Sequence, residues 1–301
     1  MRRAFIFPGQ GSQKVGMGQD LQRAFGAARE VFEEVDEALG EKLSTIIFEG
    51  PEEALRLTRN TQPALMAMSM AVVRVIERES GKKIADLAQA LAGHSLGEYS
   101  ALAAAGALSL SDAARLLRLR GDAMQQAVPV GEGAMAALLG ADIPLAEEIA
   151  GAAAGGEVCG LANDNAVGQV VLSGAKPAID RAVALAGEKG VKKAVLLPVS
   201  APFHCAMMAP AAEIMANALA ATELNPPMVP VFANVSAAPV REPDEIRDLL
   251  ERQAMGAAGV GQLVEVGAGN VLKTLTRRID RELEALAVGT VEEIDQFLRA
   301  L

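Results

Sequence analysis

The chain has 301 residues, of which 51% are hydrophobic, 22% charged and 3% aromatic, and its formal net charge is −10. That is enough apolar material for a core of about two domains, while the acidic balance and the missing basic, aromatic stripe argue against a nucleic-acid surface. No apolar run reaches the ~18 residues of a membrane helix, so a cytoplasmic enzyme with no membrane contact is expected.

The first element is the strand RAFIF, Arg3–Phe7. Its apolar part ends at Pro8-Gly9, too short for a signal peptide. The glycine-rich loop PGQGSQKVGMG follows; it lacks the GxxxxGK[ST] pattern of a phosphate cradle. DLQRAFGAAREVFEEVDEALG has helical periodicity and stops at Gly40, a natural C-cap. TQPALMAMSMAVVRVIERESG reads as a second long helix, with Pro63 near its first turn and Gly81 beyond its end. Its Met66, Met68 and Met70 fit core filling better than a soft-metal site. QALAG is a short strand running into GHSLGEYSALAAAGAL.

Between Glu132 and Leu197 the pattern changes. GAMAALLG, a helix PLAEEIAGAAA, the strands EVCGLAND and GQVVLSG joined near Asn165–Gly168, a helix KPAIDRAVALAGEKG and a strand VKKAVLLPV give the order β-α-β-β-α-β. That is a ferredoxin-like unit. The expected architecture is α/β: a large α/β-hydrolase-like domain with a parallel sheet, 1–130 and 198–301, and an inserted ferredoxin-like unit, 131–197. MVPVFANV and QLVEVGAG return to the main sheet, and a last helix lies near VLKTLTRRIDRELEAL. Cys159 and Cys205 form no CxxC pair or disulfide framework, and with two histidines no metal site is expected.

Gly93-His94-Ser95-Leu96-Gly97, between a strand and a helix, has the form of a nucleophile elbow. The turn crowds its backbone, so small flanks are needed, and it lifts the serine oxygen to a helix N-terminus. A serine nucleophile needs a base, and only His94 and His204 are available. His94 adjoins the serine on a sharp turn and suits a structural hydrogen bond beneath the elbow. His204, in VSAPFHCAMMAP after the strand that leaves the small unit, suits a loop at the carboxyl edge of the sheet, where open α/β sheets build their sites. A packed loop histidine is the open alternative. In RLLRLRGDAMQQAV, read as a helix beside the elbow, Arg115 and Arg118 fit solvated charges.

The stretches FPGQGSQKVGMG, TQPAL, GHSLGEYSAL, LRLRGDAMQ, GAMAALLG, ANDNAVGQVVLSG, LPVSAPFH, FANVSAAPV and VEVGAGNVL follow one another along nearly the whole chain. In these the chain resembles the malonyl-CoA:acyl carrier protein transacylases, whose fold also serves as the acyltransferase domain of polyketide synthases. The resemblance implies transfer of malonyl from malonyl-CoA to the phosphopantetheine thiol of acyl carrier protein, through an ester on Ser95, for fatty-acid or polyketide synthesis. It implies His204 as the base, backbone N–H groups of Gln10 and Leu96 as the oxyanion hole, and Arg120 as the partner of the malonate carboxylate. Gln253 would orient His204 through its backbone carbonyl. Gln62 and Asn163 would line the pocket, and Phe203 resembles the bulky position that disfavours an α-methyl substituent.

No dissociable cofactor is implied, and a monomer is expected. The carrier, being acidic, would need a basic patch, for which Lys192/Lys193 and Lys273/Arg277/Arg278 are candidates. After LLERQ the family carries a further segment, often with a tryptophan, whereas here AMGAAGVGQLVEVGAG follows Gln253 directly. Two other readings stand beside this one: a serine esterase or thioesterase with water as acceptor, and an inactive scaffold that only binds carrier protein.

Overall fold

The computed structural model describes residues 3–254, 264–274 and 285–301. One sheet of six strands carries the larger part: β1 (Ala4–Phe7), β2 (Ala90–Gly93), β7 (Val231–Phe232), β8 (Pro239–Val240), β9 (Val264–Val266) and β10 (Ala287–Val288). Its order is β10-β9-β1-β2-β7-β8, parallel throughout except for the antiparallel pair β7–β8. A second sheet holds β3 (Gly133–Leu139), β4 (Cys159–Ala166), β5 (Gln169–Ala175) and β6 (Lys193–Leu196), antiparallel in the order β4-β5-β3-β6. That is the ferredoxin-like arrangement read from the β-α-β-β-α-β order.

The second sheet separates two cores. On one face Ala136, Leu138, Val170 and Leu172 pack with Ile149, Ala150, Ile179 and Ala182 of its two helices, Ile143–Ala154 and Lys176–Glu188. On the other, Met135, Ala137 and Val171 meet Met124, Phe203 and Met208 from the larger part. The large core is built on Phe5, Phe7, Leu91 and the helix Thr58–Ser80, whose Met66, Met68 and Met70 are all buried.

Two helical expectations change. The single helix expected up to Gly40 is two, Gln19–Ala24 and Gly26–Leu39, because Phe25 takes an extended backbone and turns its ring onto the core. The long helix begins at Thr58, so Pro63 lies inside it. Proline has no N–H, which leaves the Arg59 carbonyl without its helical partner. Arg118 supplies one: its Nη1 donates to Arg59 O at 2.5 Å and to Asn60 Oδ1 at 2.5 Å, and its Nη2 pairs with Glu41. Arg118 is therefore 11% exposed, a helix-closing group rather than a solvated charge, while Arg115 stays exposed beside Asp112.

The same crossing fixes Arg120. On the helix Leu110–Ala127, a Cβ at Gly121 would lie 2.5 Å from Arg59 Cα, so glycine lets the two helices touch and carries the neighbouring Arg120 inward. The expected last helix is described only at 271–274; its remainder, with Arg277 and Arg278, lies outside the described residues, as do residues 255–263 of the segment after Gln253 where the family pattern departs. The helix Val291–Arg299, capped by Thr290 and Glu293, was not anticipated.

Candidate active site

Ser95 joins β2 to the helix Leu96–Ala104 with φ 53° and ψ −110°, a backbone that L-residues rarely adopt. The flanking glycines are obligatory on steric grounds. A Cβ at Gly93 would sit 1.9 Å from Gly97 C, and one at Gly97 would sit 2.2 Å from Phe7 O. Gly97→Ala is therefore expected to destabilise the protein by about 4 kcal/mol or more, read by thermal unfolding. An unchanged melting temperature would show that the elbow has room to relax.

The serine Oγ lies 2.9 Å from His204 Nε2, and His204 Nδ1 donates to the Gln253 carbonyl at 2.8 Å. That second bond fixes the tautomer, leaving the Nε2 lone pair facing the serine hydroxyl. A backbone carbonyl here takes the place that an aspartate holds in the Ser-His-Asp arrangement. Burial and the nearby Arg120 charge push the His204 imidazole down to about 3, so it is a neutral base at physiological pH.

Arg120 is 2% exposed. Its Nη1 donates to Gln62 Oε1 at 2.8 Å, and its Nη2 donates to Gln253 Oε1 at 2.9 Å and to Ser95 Oγ at 3.2 Å. The guanidinium lies over the Tyr99 ring, 5.8 Å from its centroid. Among the described residues no carboxylate is in ion-pairing contact with it. Burial lowers its proton affinity while the nearby Glu98 charge raises it, and a buried cation whose hydrogen bonds go to neutral acceptors favours an incoming anion.

Sequence reasoning gave no role to two side chains beneath the elbow. Asn234 Oδ1 accepts from Ser95 N at 2.8 Å, and its Nδ2 donates to Gly93 O at 2.6 Å, binding the two sides of the turn. Glu98 Oε2 accepts from Asn234 N at 3.0 Å and from Gln253 Nε2 at 2.6 Å. Both residues lie in stretches already singled out, GHSLGEYSAL and FANVSAAPV, but neither is among the residues lining the cavity over Ser95.

A cavity of about 170 Å³ opens over Ser95, lined by Gln10, Gln62, Leu96, Arg120, Asn163 and Phe203 among others. Gln10 and Leu96 thus reach the same space as the nucleophile, and the first N–H groups of the helix at Leu96 lack intrahelical acceptors. His94 makes a structural hydrogen bond, as expected, and its partner lies in the second sheet. Its Nε2 meets Asn165 Oδ1 of β4 at 3.1 Å, tying the elbow to the second sheet, and burial holds its pKa down. Lys192 and Lys193 are exposed, and Lys273 is partly so. Cys159 and Cys205 are free thiols.

A hydroxyl held by a neutral imidazole, a helix N-terminus beside it and a buried cation facing the same cavity suit the acyl-transfer class of α/β enzyme. The profile of the family described as "Acyl transferase domain" matches residues 4–257. The malonyl CoA-acyl carrier protein transacylase of Escherichia coli K12 is 46% identical, covering 95% of both chains, and that of Bacillus subtilis 168 is 43% identical, covering 99% of this chain and 96% of the other. A crystal structure of the acyl-carrier-protein S-malonyltransferase of Bartonella henselae superposes with a TM-score of 0.96 at 54% identity, covering 100% of this chain and 99% of that one. A malonyl-transacylase in complex with a type II PKS acyl-carrier protein aligns with a TM-score of 0.95 at 40% identity, covering 100% of both. The chain belongs to the acyl transferase family, among the malonyl CoA-acyl carrier protein transacylases.

Proposed function

We propose that the protein moves a malonyl group from malonyl-CoA to the phosphopantetheine thiol of an acyl carrier protein. The observation that carries this reading is Arg120: a buried guanidinium without a carboxylate partner, 3.2 Å from the Ser95 oxygen, suits an acyl group that ends in a carboxylate. A guanidinium holds a carboxylate by two parallel hydrogen bonds, which lysine cannot copy.

In the first half-reaction Ser95 Oγ attacks the thioester carbonyl while His204 Nε2 takes the hydroxyl proton. The N–H groups of Gln10 and Leu96 hold the oxyanion. The C–S bond breaks, the leaving thiolate takes the proton from His204, and malonyl remains as an ester on Ser95. In the second the carrier thiol gives its proton to His204 and attacks that ester, and the Ser95 oxygen leaves with the same proton. Gln62 holds Arg120 in place, Asn163 lines the cavity, and Phe203 crowds the space beside the α-carbon. No metal or dissociable cofactor takes part. We place the protein in the cytoplasm as a monomer; among the described residues no helix is long and apolar enough to cross a membrane.

The test is intact-mass analysis after incubation with malonyl-CoA or acetyl-CoA. Removing one partner of a buried charge pair costs about 2–5 kcal/mol, roughly 30-fold to several thousand-fold. Arg120→Ala is expected to lose malonyl loading by that factor and to keep, or gain, acetyl loading. Equal loss of both would make Arg120 structural; retained malonyl selectivity would place the carboxylate site elsewhere.

A further inference from the structure

We propose that Glu98 is a positioning residue that sets which way the Gln253 amide points, and through it aims Arg120 at the acyl group. The proposal rests on the malonyl-transfer reading above.

The amide has two different ends in one buried place. Its Nε2 faces three acceptors: Glu98 Oε2 at 2.6 Å, Ser95 O at 3.0 Å and Asn234 Oδ1 at 3.4 Å. Its Oε1 accepts from Arg120 Nη2 at 2.9 Å. A rotated amide would turn its oxygen toward the Glu98 carboxylate and its NH₂ toward the guanidinium, acceptor against acceptor and donor against donor. Gln253 has no exposed surface, so no water compensates either mismatch. Glu98 supplies the charged acceptor among the three and is itself held by the Asn234 backbone.

The carboxylate is costly to keep. Burial raises Glu98 to about 7, against the hydrogen bonds from Asn234 and Gln253 and the charge of Arg120, all of which favour the ionised form. Among the described residues, the groups of charge or titration that act on it are Arg120, from the helix Leu110–Ala127, and Tyr99 on its own helix. The strand side brings only neutral Asn234. Tyr99, pushed up to about 12, and His204, down at about 3, do not titrate near neutrality. Protonating Glu98 removes the charge that locks the amide. Arg120 then loses a fixed acceptor while Ser95 and the His204–Gln253 carbonyl contact persist.

The experiment measures single-turnover loading of Ser95 by malonyl-CoA and by acetyl-CoA across a pH range bracketing 7, in the wild type and in Glu98→Gln. Both substrates share Ser95 and His204, so their ratio cancels the titration of common groups. The wild-type malonyl-to-acetyl ratio is expected to fall severalfold as pH drops through about 7. In Glu98→Gln the ratio is expected to be roughly tenfold or more below the wild-type value at the alkaline end and to lose its pH dependence. A pH-flat wild-type ratio overturns the proposal without need of any variant. A variant with the wild-type ratio, or with both loadings reduced equally, also overturns it. A wild type that loads acetyl but never malonyl overturns the functional reading and this proposal with it; one that loads malonyl at a pH-flat ratio overturns this proposal alone.

Discussion

Ser95→Ala is expected to take up no acyl group at all from malonyl-CoA, where the wild type gains one malonyl. The prediction follows from isolation of the oxygen as much as from its identity. Ser95 Oγ is the hydroxyl that His204 Nε2 reaches, at 2.9 Å, and it sits where the helix Leu96–Ala104 begins. The neighbouring nucleophile, Cys205, is no substitute: its thiol is buried, donates to Pro202 O and is pushed up by burial, so it stays protonated. Loss of a serine nucleophile costs on the order of 10⁶-fold in kcat in a serine protease. Peptide mapping that found the label on Cys205 or another serine would sink the assignment.

His204→Ala is expected to slow that acylation by roughly 10²- to 10⁴-fold, the usual worth of a positioned base, with the fold retained. The imidazole touches Ser95 on one side and the Gln253 carbonyl on the other, and alanine deletes both contacts at once. Rapid-quench loading measures the loss. If His94→Ala produced it and His204→Ala were mild, the two histidines would exchange roles; the 3.1 Å contact of His94 with Asn165 argues against that, since it commits the ring to β4. The depressed His204 pKa also acts on stability. The unfolded chain takes a proton below its ordinary 6.5 that the native ring refuses until about 3, so this group contributes a loss of stability as pH falls below 6.5.

The elbow was legible because its signal is local. Two glycines and a serine within five residues state the turn, and the steric reason for Gly93 and Gly97 lies in that turn and the adjoining β1. The ferredoxin-like order was legible because alternating strands and helices each carry their own period. What stayed hidden was long-range. Glu98 and Gln253 are 155 positions apart, Ser95 and Asn234 139, and no pattern in a single sequence pairs them. The Thr58 helix start was masked by Pro63, whose usual place is a first turn; only Arg118, arriving from another helix, makes an interior proline tolerable. The break at Phe25 was masked in the same way, since the apolar spacing runs on across it.

Gln253 holds the base by its carbonyl and Arg120 by its side chain, and it follows both in the chain. During synthesis, then, the nucleophile, the arginine and the histidine leave the ribosome before the residue that fixes the last two. A stalled translation product ending before position 253 carries a serine that is present but not yet armed. Acyl labelling of Ser95 on arrested chains is expected to stay off at every length that leaves residue 253 inside the exit tunnel, and β9 and β10, which complete the same sheet beside β1, emerge later still.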